Sequence, residues 1–506
     1  MTAAFGSPTS IWMDTTETTS YPTAPDGIEV DVAVIGGGIA GLCTAWEVSR
    51  TGRSVAVLEA DRIAAAVTGH TTAKVSAQHT LVYAHLRDTR GADAARLYAR
   101  SQTEAIEHLV STIGSAGIDC DLERLPAYTY VESPDRVDQI RDEVRAASEA
   151  GLPATLVTET ELPYPVAGAI RVDGQAQFHP RRYLLALADR LAEAGGHLFE
   201  RSRVVGLTEG HPCRLRLDTG AQVLAGHVVV ATHYPILDRA LLFPRLEPHR
   251  ELVVAASIPA AADPHGMYIT PEQGTRSVRT APHTDGRRLL IVTGESFRPG
   301  AADVTEHLTE LADWTRQRFG VDDLAYHWAA QDNSTTDQVP YVGRLRPGAD
   351  NLWVATGFNG WGMSTGVMSG RLLADLIDGR RPEWADLYDP VRLHPLAEAK
   401  TFVKANLAVA KHFVGDRLHR SGDDPTTIPP GGGAILRIDG HRCAVHRDDD
   451  GMLHAVSARC THLGCLVAFN DVERTWDCPC HGSRFAPDGT VVTGPATRPL
   501  APRTLD

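Results

Sequence analysis

Nowhere in the 506 residues is there a run of 18 or more apolar residues. A helix needs about 20 of them to span the hydrocarbon core, so no membrane-crossing helix is expected. Positive charge is short as well: 49 Lys and Arg stand against 63 Asp and Glu, a net −14. A phosphate backbone attracts cationic surfaces, and this balance argues against a nucleic-acid partner. The first 27 residues, rich in Thr, Ser and Pro, hold no basic start, apolar run or twin-Arg pair. They read as a flexible segment without an export signal, and a reducing cytoplasm is the expected compartment. No internal repeat is present. Cysteines number only eight, and Cys43, Cys120, Cys213 and Cys443 are scattered. Cys460, Cys465, Cys478 and Cys480 crowd one short window, which suits metal or redox chemistry better than a secreted disulfide framework.

What the chain does have is a globular composition, 43% hydrophobic and 22% charged, and length for two to four domains. "SGDDPTTIPPGGG" (Ser421–Gly433) is the clearest linker, and a helix is expected before it, over Leu396–Leu418. The clearest local structure is "VDVAVIGGGIAGLCTAWEVSRTGRSVAVLEA", which reads as strand, glycine turn, helix and strand. Gly36, Gly38 and Gly41 give the G-x-G-x-x-G spacing: a tight turn, backbone approach to a pyrophosphate, and close helix–strand packing. The helix N-terminus behind Gly38, at Ile39 and Ala40, then faces the phosphates. Glu59, with Ala60 after it, ends the next strand, where an acid accepts from a ribose hydroxyl. This fingerprint does not separate NAD from FAD.

The second glycine-rich stretch does. "ATGFNGWGMSTG" (Ala355–Gly366) resembles the C-terminal flavin motif of the D-amino acid oxidase and sarcosine oxidase superfamily, and "AQFHPRRYLLAL", "VVVAT" and "DQVPYVG" fall in that family's order. The resemblance covers about Asp31 to Gly379. It implies FAD held by the residues above together with Val204, Thr232, Gly357, Asn359, Gly360, Trp361, Gly362, Met363 and Ser364. It also implies a helix after the second motif whose N-terminus stabilises negative charge on the flavin ring. In related dehydrogenases of methylated glycines a histidine at the matching distance after the acidic residue carries FAD covalently, and His70 stands at that place. The residues flanking it depart from that pattern, so Thr71, Thr72 and Lys74 are expected as non-covalent contacts. Core packing is an equal reading for Trp361 and Met363.

Near the C-terminus, "CTHLGC" (Cys460–Cys465) and "WDCPCHGSRF" (Trp476–Phe485) place two cysteines and two histidines on two short loops: Cys460, His462, Cys478 and His481. A Rieske [2Fe–2S] centre needs two Cys on one iron and two His on the other. Cys₂His₂ also suits tetrahedral zinc, but zinc would explain neither Cys465 with Cys480 nor the "GPATRPL" stretch. The two boxes resemble the Rieske proteins of respiratory and photosynthetic cytochrome complexes. That resemblance implies a Cys465–Cys480 disulfide pinning the loops, a Ser483 hydrogen bond to a bridging sulfide, and a third wall from "GPATRPL". Phe485 stands where a tyrosine donor is usual, so a somewhat lower potential is implied.

The whole chain resembles bacterial flavoproteins in which an oxidase-family FAD domain is fused to a Rieske domain. The expected fold class is α/β plus α+β: a Rossmann-like FAD domain (residues 28–80, 176–234 and 337–390) interleaved with an antiparallel-sheet substrate domain (81–175 and 235–336). A connector (391–430) and an all-β Rieske domain (431–506) follow. The expected activity is oxidation of a C–N bond of an amine or amino acid. Electrons would pass from the flavin through the cluster to an external one-electron partner. The alternatives are the reverse relay, without a second G-x-G-x-x-G for NAD(P)H, and a docking role for the Rieske module. Flavin amine oxidation needs no strong base, and no acid–base pair stands out. Lys74, Arg279, Tyr341 and Trp361 are the candidate catalytic residues, with Arg279 available to hold a carboxylate or simply to charge a strand surface.

Overall fold

The computed structural model describes residues 5–237, 242–301, 303–392 and 424–505. Apolar runs form the centre of the first sheet, as a parallel sheet covered on both faces requires. Its order is Tyr341–Arg344, Leu352–Thr356, Gln222–Val230, Ile28–Ile35, Val55–Leu58 and His197–Phe199, with the ribbon Val204–Thr208/Cys213–Leu217 on Gln222–Val230. The four inner and last strands are parallel, and Tyr341–Arg344 runs antiparallel at the edge. The helix Ile39–Ser49 leaves the glycine turn where the glycine pattern places it, and Gly362–Ile377 lies across it. The crossing is tight: a Cβ on Gly370 would lie 2.7 Å from the Cys43 carbonyl carbon.

The second sheet is mostly antiparallel. It runs Tyr326–Thr335, Leu246–Ile258, Arg288–Phe297, Ser277–Pro282, Met267–Ile269, Glu123–Val131, Gly168–Gln177 and Lys74–Val75, with Ala154–Val157 beside Gly168–Gln177. Met267–Ile269 alone is parallel to its neighbour, Glu123–Val131. Side chains alternate across it. Leu252, Val254 and Val292 pack with Leu308 and Leu311 of the helix Val304–Phe319, while Val253, Ile291 and Trp328 join the core shared with the first domain. Lys74–Val75 and the end of Gly168–Gln177 therefore belong to this sheet, whereas the sequence reading places residues 28–80 and 176–234 in the nucleotide domain.

Two small sheets build the C-terminal module, Gly433–Ile438/His441–Arg447/Leu453–Ser457 and Ala468–Asn470/Thr475–Asp477/Arg484–Phe485/Val491–Thr493. Their core holds Trp476, Phe485 and Leu500. The module packs on the sheet face of Pro248, Arg250 and Gln331, and Gln331 Nε2 donates to the Gly482 carbonyl at 3.2 Å. Gly482 is required there. Its φ is 76°, and a Cβ would lie 2.6 Å from Gln331 Nε2 and 3.0 Å from Pro248 Cβ.

One expectation is corrected. The N-terminal segment is not loose from residue 5 onward. Ser10 caps the short helix Ile11–Asp14, and Trp12, 1% exposed, donates from Nε1 to the Thr71 carbonyl at 2.6 Å. Arg181 holds Thr16 and the Glu17 carbonyl, and Glu200 accepts from the Tyr21 amide. Burying an indole of this size contributes about 3 kcal/mol. The helix expected over Leu396–Leu418 lies outside the described residues. No helix among the described residues is long and apolar enough to cross a membrane.

Candidate flavin cavity and iron–sulfur site

A cavity of about 890 Å³ opens along the carboxyl ends of the parallel strands. Gly36, Gly38, Ile39, Ala40, Glu59, Ala60, His70, Thr71, Thr72, Val204, Thr232, Gly360, Gly362 and Met363 line it. The glycine turn fits a dinucleotide. A Cβ on Gly41 would fall 1.9 Å from the Gly36 carbonyl oxygen, so the third glycine is what lets the helix start against the strand. The Glu59 carboxylate accepts from Gly37 N–H at 2.7 Å and Asp61 N–H at 2.9 Å. Burial raises its carboxyl pKa, and those two amides work against the rise. Sequence reasoning missed Thr68, whose hydroxyl accepts from Ile39 N–H at 3.1 Å at the first turn of the helix. We expect Gly41→Ala to lose FAD from the purified protein, with a fall in flavin absorbance per chain of at least about tenfold. A normal flavin content would mean the turn can open.

The remaining expected flavin residues lie behind the lining. Gly41 is inside the helix. Gly357 and Asn359 shape the turn, where the Asn359 side-chain oxygen accepts from Thr335 N–H at 2.8 Å. Ser364 bonds His79, whose ring stacks on Trp361 at 4.6 Å. Trp361 is thus packed between His79 and Lys74, the latter 5.7 Å from its ring centroid. Lys74 also contacts the Ser277 hydroxyl, and burial pulls its ammonium down to about 7. Neither Trp361 nor Lys74 is in the cavity wall.

Two candidate catalytic residues are placed elsewhere. Arg279 is 1% exposed, and its guanidinium donates to the carbonyls of Thr72, Ala73 and Thr280 at 2.9–3.0 Å. It is not in the cavity wall where a substrate carboxylate would lie, and through Nη1 it positions the Thr72–Ala73 segment instead. Tyr341 is fully buried between the guanidinium groups of Arg245 and Arg392, 4.3 and 4.2 Å from its ring. Burial raises its phenol to about 12.

At the second site Cys460, Cys478 and His481 are buried, 3%, 2% and 7% exposed. The loops are tied as two matching turns: Gly464 N–H to Cys460 O, and Gly482 N–H to Cys478 O. Cys465 and Cys480 are joined as a disulfide beside Cys478, the three sulfurs lying within 4.8 Å of one another. This leaves Cys460 and Cys478 as the available thiols. The rings of His462 and His481 lie 5.0 Å apart. His481 Nδ1 is buried without a hydrogen-bond partner, and burial lowers its pKa to about 3, as a neutral ligand imidazole requires. Ser483 Oγ accepts from Ala496 N–H at 3.0 Å, so the Gly494–Leu500 loop closes the third side. Two thiols, two imidazoles and an orphaned ring nitrogen fit a Rieske cluster.

The histidines face inward. Phe243 lies 4.8 Å from the His462 ring and 5.7 Å from His481, and Tyr234 lies 5.8 Å from His481. Both aromatics belong to the flavin side of the chain, and Tyr234 is two residues beyond Thr232 of the cavity wall. The C-terminal module also walls the cavity with Glu473, Arg484, Thr493 and Thr497, a feature without a local sequence signal.

A nucleotide cavity of this kind joined to such a cluster site defines a flavin-dependent oxidoreductase with an iron–sulfur domain. Residues 31–376 match the FAD dependent oxidoreductase family (DAO), and residues 424–503 match the Rieske [2Fe-2S] domain. The chain belongs to the DAO family, binds FAD and carries a Rieske [2Fe–2S] domain. It is 33% identical over 501 residues to YhfW of Bacillus subtilis (strain 168), which its name describes as a Rieske 2Fe-2S iron-sulfur protein; 99% of this chain and 98% of that one are covered. It is 25% identical over 382 residues to the gamma-glutamylputrescine oxidoreductase of Escherichia coli (strain K12), covering 71% of this chain and 86% of that one. Among solved structures, glycine oxidase from Geobacillus kaustophilus shares the fold at a TM-score of 0.59 and 20% identity, covering 70% of this chain and 96% of that one.

Proposed function

We propose that the protein oxidises a C–N bond of an amine or amino acid and passes the electrons through its Rieske domain to an external one-electron acceptor. The observation that carries this reading is the packing of the cluster histidines on Tyr234 and Phe243, next to Thr232 of the flavin cavity. FAD supplies two-electron acceptance from the carbon beside nitrogen, and the [2Fe–2S] centre supplies one-electron transfer. The chain's own residues do the rest. Gly36–Ala40 and Thr68 form the phosphate end, and Glu59 takes the ribose. The N-terminus of Gly362–Ile377, exposed to the cavity at Gly362 and Met363, favours negative charge there. His70, Thr71 and Thr72, in the cavity wall, would contact the flavin, and Trp12 and Arg279 hold that segment in place. The names of the relatives support the substrate class, since gamma-glutamylputrescine and glycine both carry a C–N bond. Action in the cytoplasm is part of the proposal. There the Cys465–Cys480 disulfide must persist against a reducing pool, which its burial favours.

Anaerobic titration tests the direction. Amines and amino acids, added before NADPH, should bleach the flavin band and then bring up the reduced-cluster EPR signal. If only NADPH reduces the protein, and the cluster signal precedes flavin bleaching, the relay runs inward and the proposal fails.

A further inference from the structure

Across the cavity from the nucleotide-binding glycines lies one face of the nine-stranded sheet. Alternation puts His249, Glu251 and Val253 on that face, beside Asp332, Ala330 and Trp328 of the neighbouring strand. Thr293 pairs with Val253 on one side and Ser277 on the other, so it continues the same row.

Two polar groups on this face make no hydrogen bond among the described residues. Thr293 is 4% exposed, lines the cavity, and its Oγ1 is buried without a hydrogen-bond partner. Glu251 is half-buried and lines the cavity, and among the described residues no hydrogen bond or ion pair engages its carboxylate. Glu251 keeps regular register with Ala330 on one side, and the extra residue of the bulge on its other side falls on the neighbouring strand, where Arg250 pairs with Phe297 and Leu252 with Gly294. The other charges on the face are already used. Asp332 accepts from Gly360 N–H and faces His233 at 3.3 Å, and Arg279, outside the cavity wall, donates to backbone carbonyls. Lys74, the cation acting on Glu251, rests on Ser277 outside the cavity wall, its ammonium weakened by burial.

We infer that Glu251, assisted by the Thr293 hydroxyl, holds a second, non-reacting ammonium group of the substrate, so that the substrate class is a diamine or another amine with a distal positive charge. A carboxylate left without a partner in a cavity wall is costly, and an ammonium gives it the stronger, charge-assisted kind of hydrogen bond. A distal carboxylate on the substrate would meet like charge. This inference rests on the proposed C–N oxidation.

The test uses the holoenzyme under anaerobic conditions and three probes of one chain length: 1,4-diaminobutane, n-butylamine and 4-aminobutanoate. Binding is read from the perturbation of flavin absorbance, and reduction from its bleaching. The diamine should bind at least about tenfold tighter than n-butylamine, equivalent to about 1.4 kcal/mol, with 4-aminobutanoate weakest. Glu251→Gln should bring the diamine to within about twofold of n-butylamine. Glu251→Lys should reverse the order in favour of 4-aminobutanoate, and Thr293→Val should weaken the diamine by a smaller factor. An unchanged flavin spectrum in each variant shows that it has folded. A diamine preference that survives Glu251→Gln overturns the inference, as does a wild type that binds the diamine no tighter than n-butylamine. If 4-aminobutanoate binds best and reduces the flavin, this inference falls and the C–N reading stands. If none of the three perturbs or bleaches the flavin, both fall.

Discussion

Replacing His481 with alanine is expected to erase the iron–sulfur signals and leave the flavin signals in place. The imidazole is 7% exposed and its Nδ1 is buried without a hydrogen-bond partner. Its removal leaves one imidazole and two thiols, too few for the two-Cys, two-His arrangement. FAD should stay bound, because Glu473 and Arg484 of this module wall only one part of the cavity. Its glycine end, Glu59 and the Thr71–Thr72 segment are built by other parts of the chain. A reactive amine should therefore still bleach the flavin in a single turnover, while steady-state reduction of a one-electron acceptor falls. Changes to residues merely supporting a metal ligand cost 10–100-fold, so loss of a ligand should cost about 100-fold or more. Iron content, the EPR signal and stopped-flow absorbance check the three parts separately. Undiminished steady-state turnover would mean that electrons leave the flavin by another route.

The parts legible in the sequence were those fixed by local spacing. The strand Val55–Leu58 and helix Ile39–Ser49 have the bounds that the apolar run and glycine turn imply. The cluster boxes needed only six residues and ten residues of context. What escaped was set by partners distant in sequence. The first 27 residues look loose by composition, yet Trp12 finds Thr71, and Arg181 finds Thr16. Arg279 reads equally as a carboxylate anchor or a surface charge, because an arginine on a strand carries no sign of which face it takes. Its neighbours Thr72 and Ala73 lie more than 200 residues earlier in the chain. Glu251 was overlooked for the same reason: alternation gives two faces, and only the assembled sheet shows which one meets the cavity.

The docking of the Rieske domain was equally hidden, and it gives the largest expected effect on stability. Arg250, 1% exposed on the sheet, meets Glu473 at 2.6 Å and Asp477 at 3.6 Å across the domain boundary. Arg484 meets the same two acids at 3.0 and 3.1 Å. Two cations and two anions balance, so the lattice tolerates burial. Arg250→Ala leaves two carboxylates with one guanidinium, and breaking a buried pair in this way costs about 3–5 kcal/mol. The Rieske domain should then unfold or undock at a lower temperature. FAD should also dissociate faster, because Glu473 and Arg484 wall its cavity. Burial alone would raise the Glu473 carboxyl, but Arg250 and Arg484 outweigh it and hold it at about 2. A depressed carboxyl stabilises above its unfolded value and ceases to do so as pH falls through the folded one. Wild-type docking should thus hold from neutral pH to about 4.5 and weaken between there and about 2, and Arg250→Ala should move that loss to higher pH. Removing both partners, Arg250→Met with Glu473→Met, should recover part of the loss, since no charge is then left buried without its counterion at that contact. Thermal unfolding followed by flavin fluorescence across pH reads each of these. A loss under about 1 kcal/mol for Arg250→Ala would place the pair among solvated surface contacts and release the Rieske domain from the sheet.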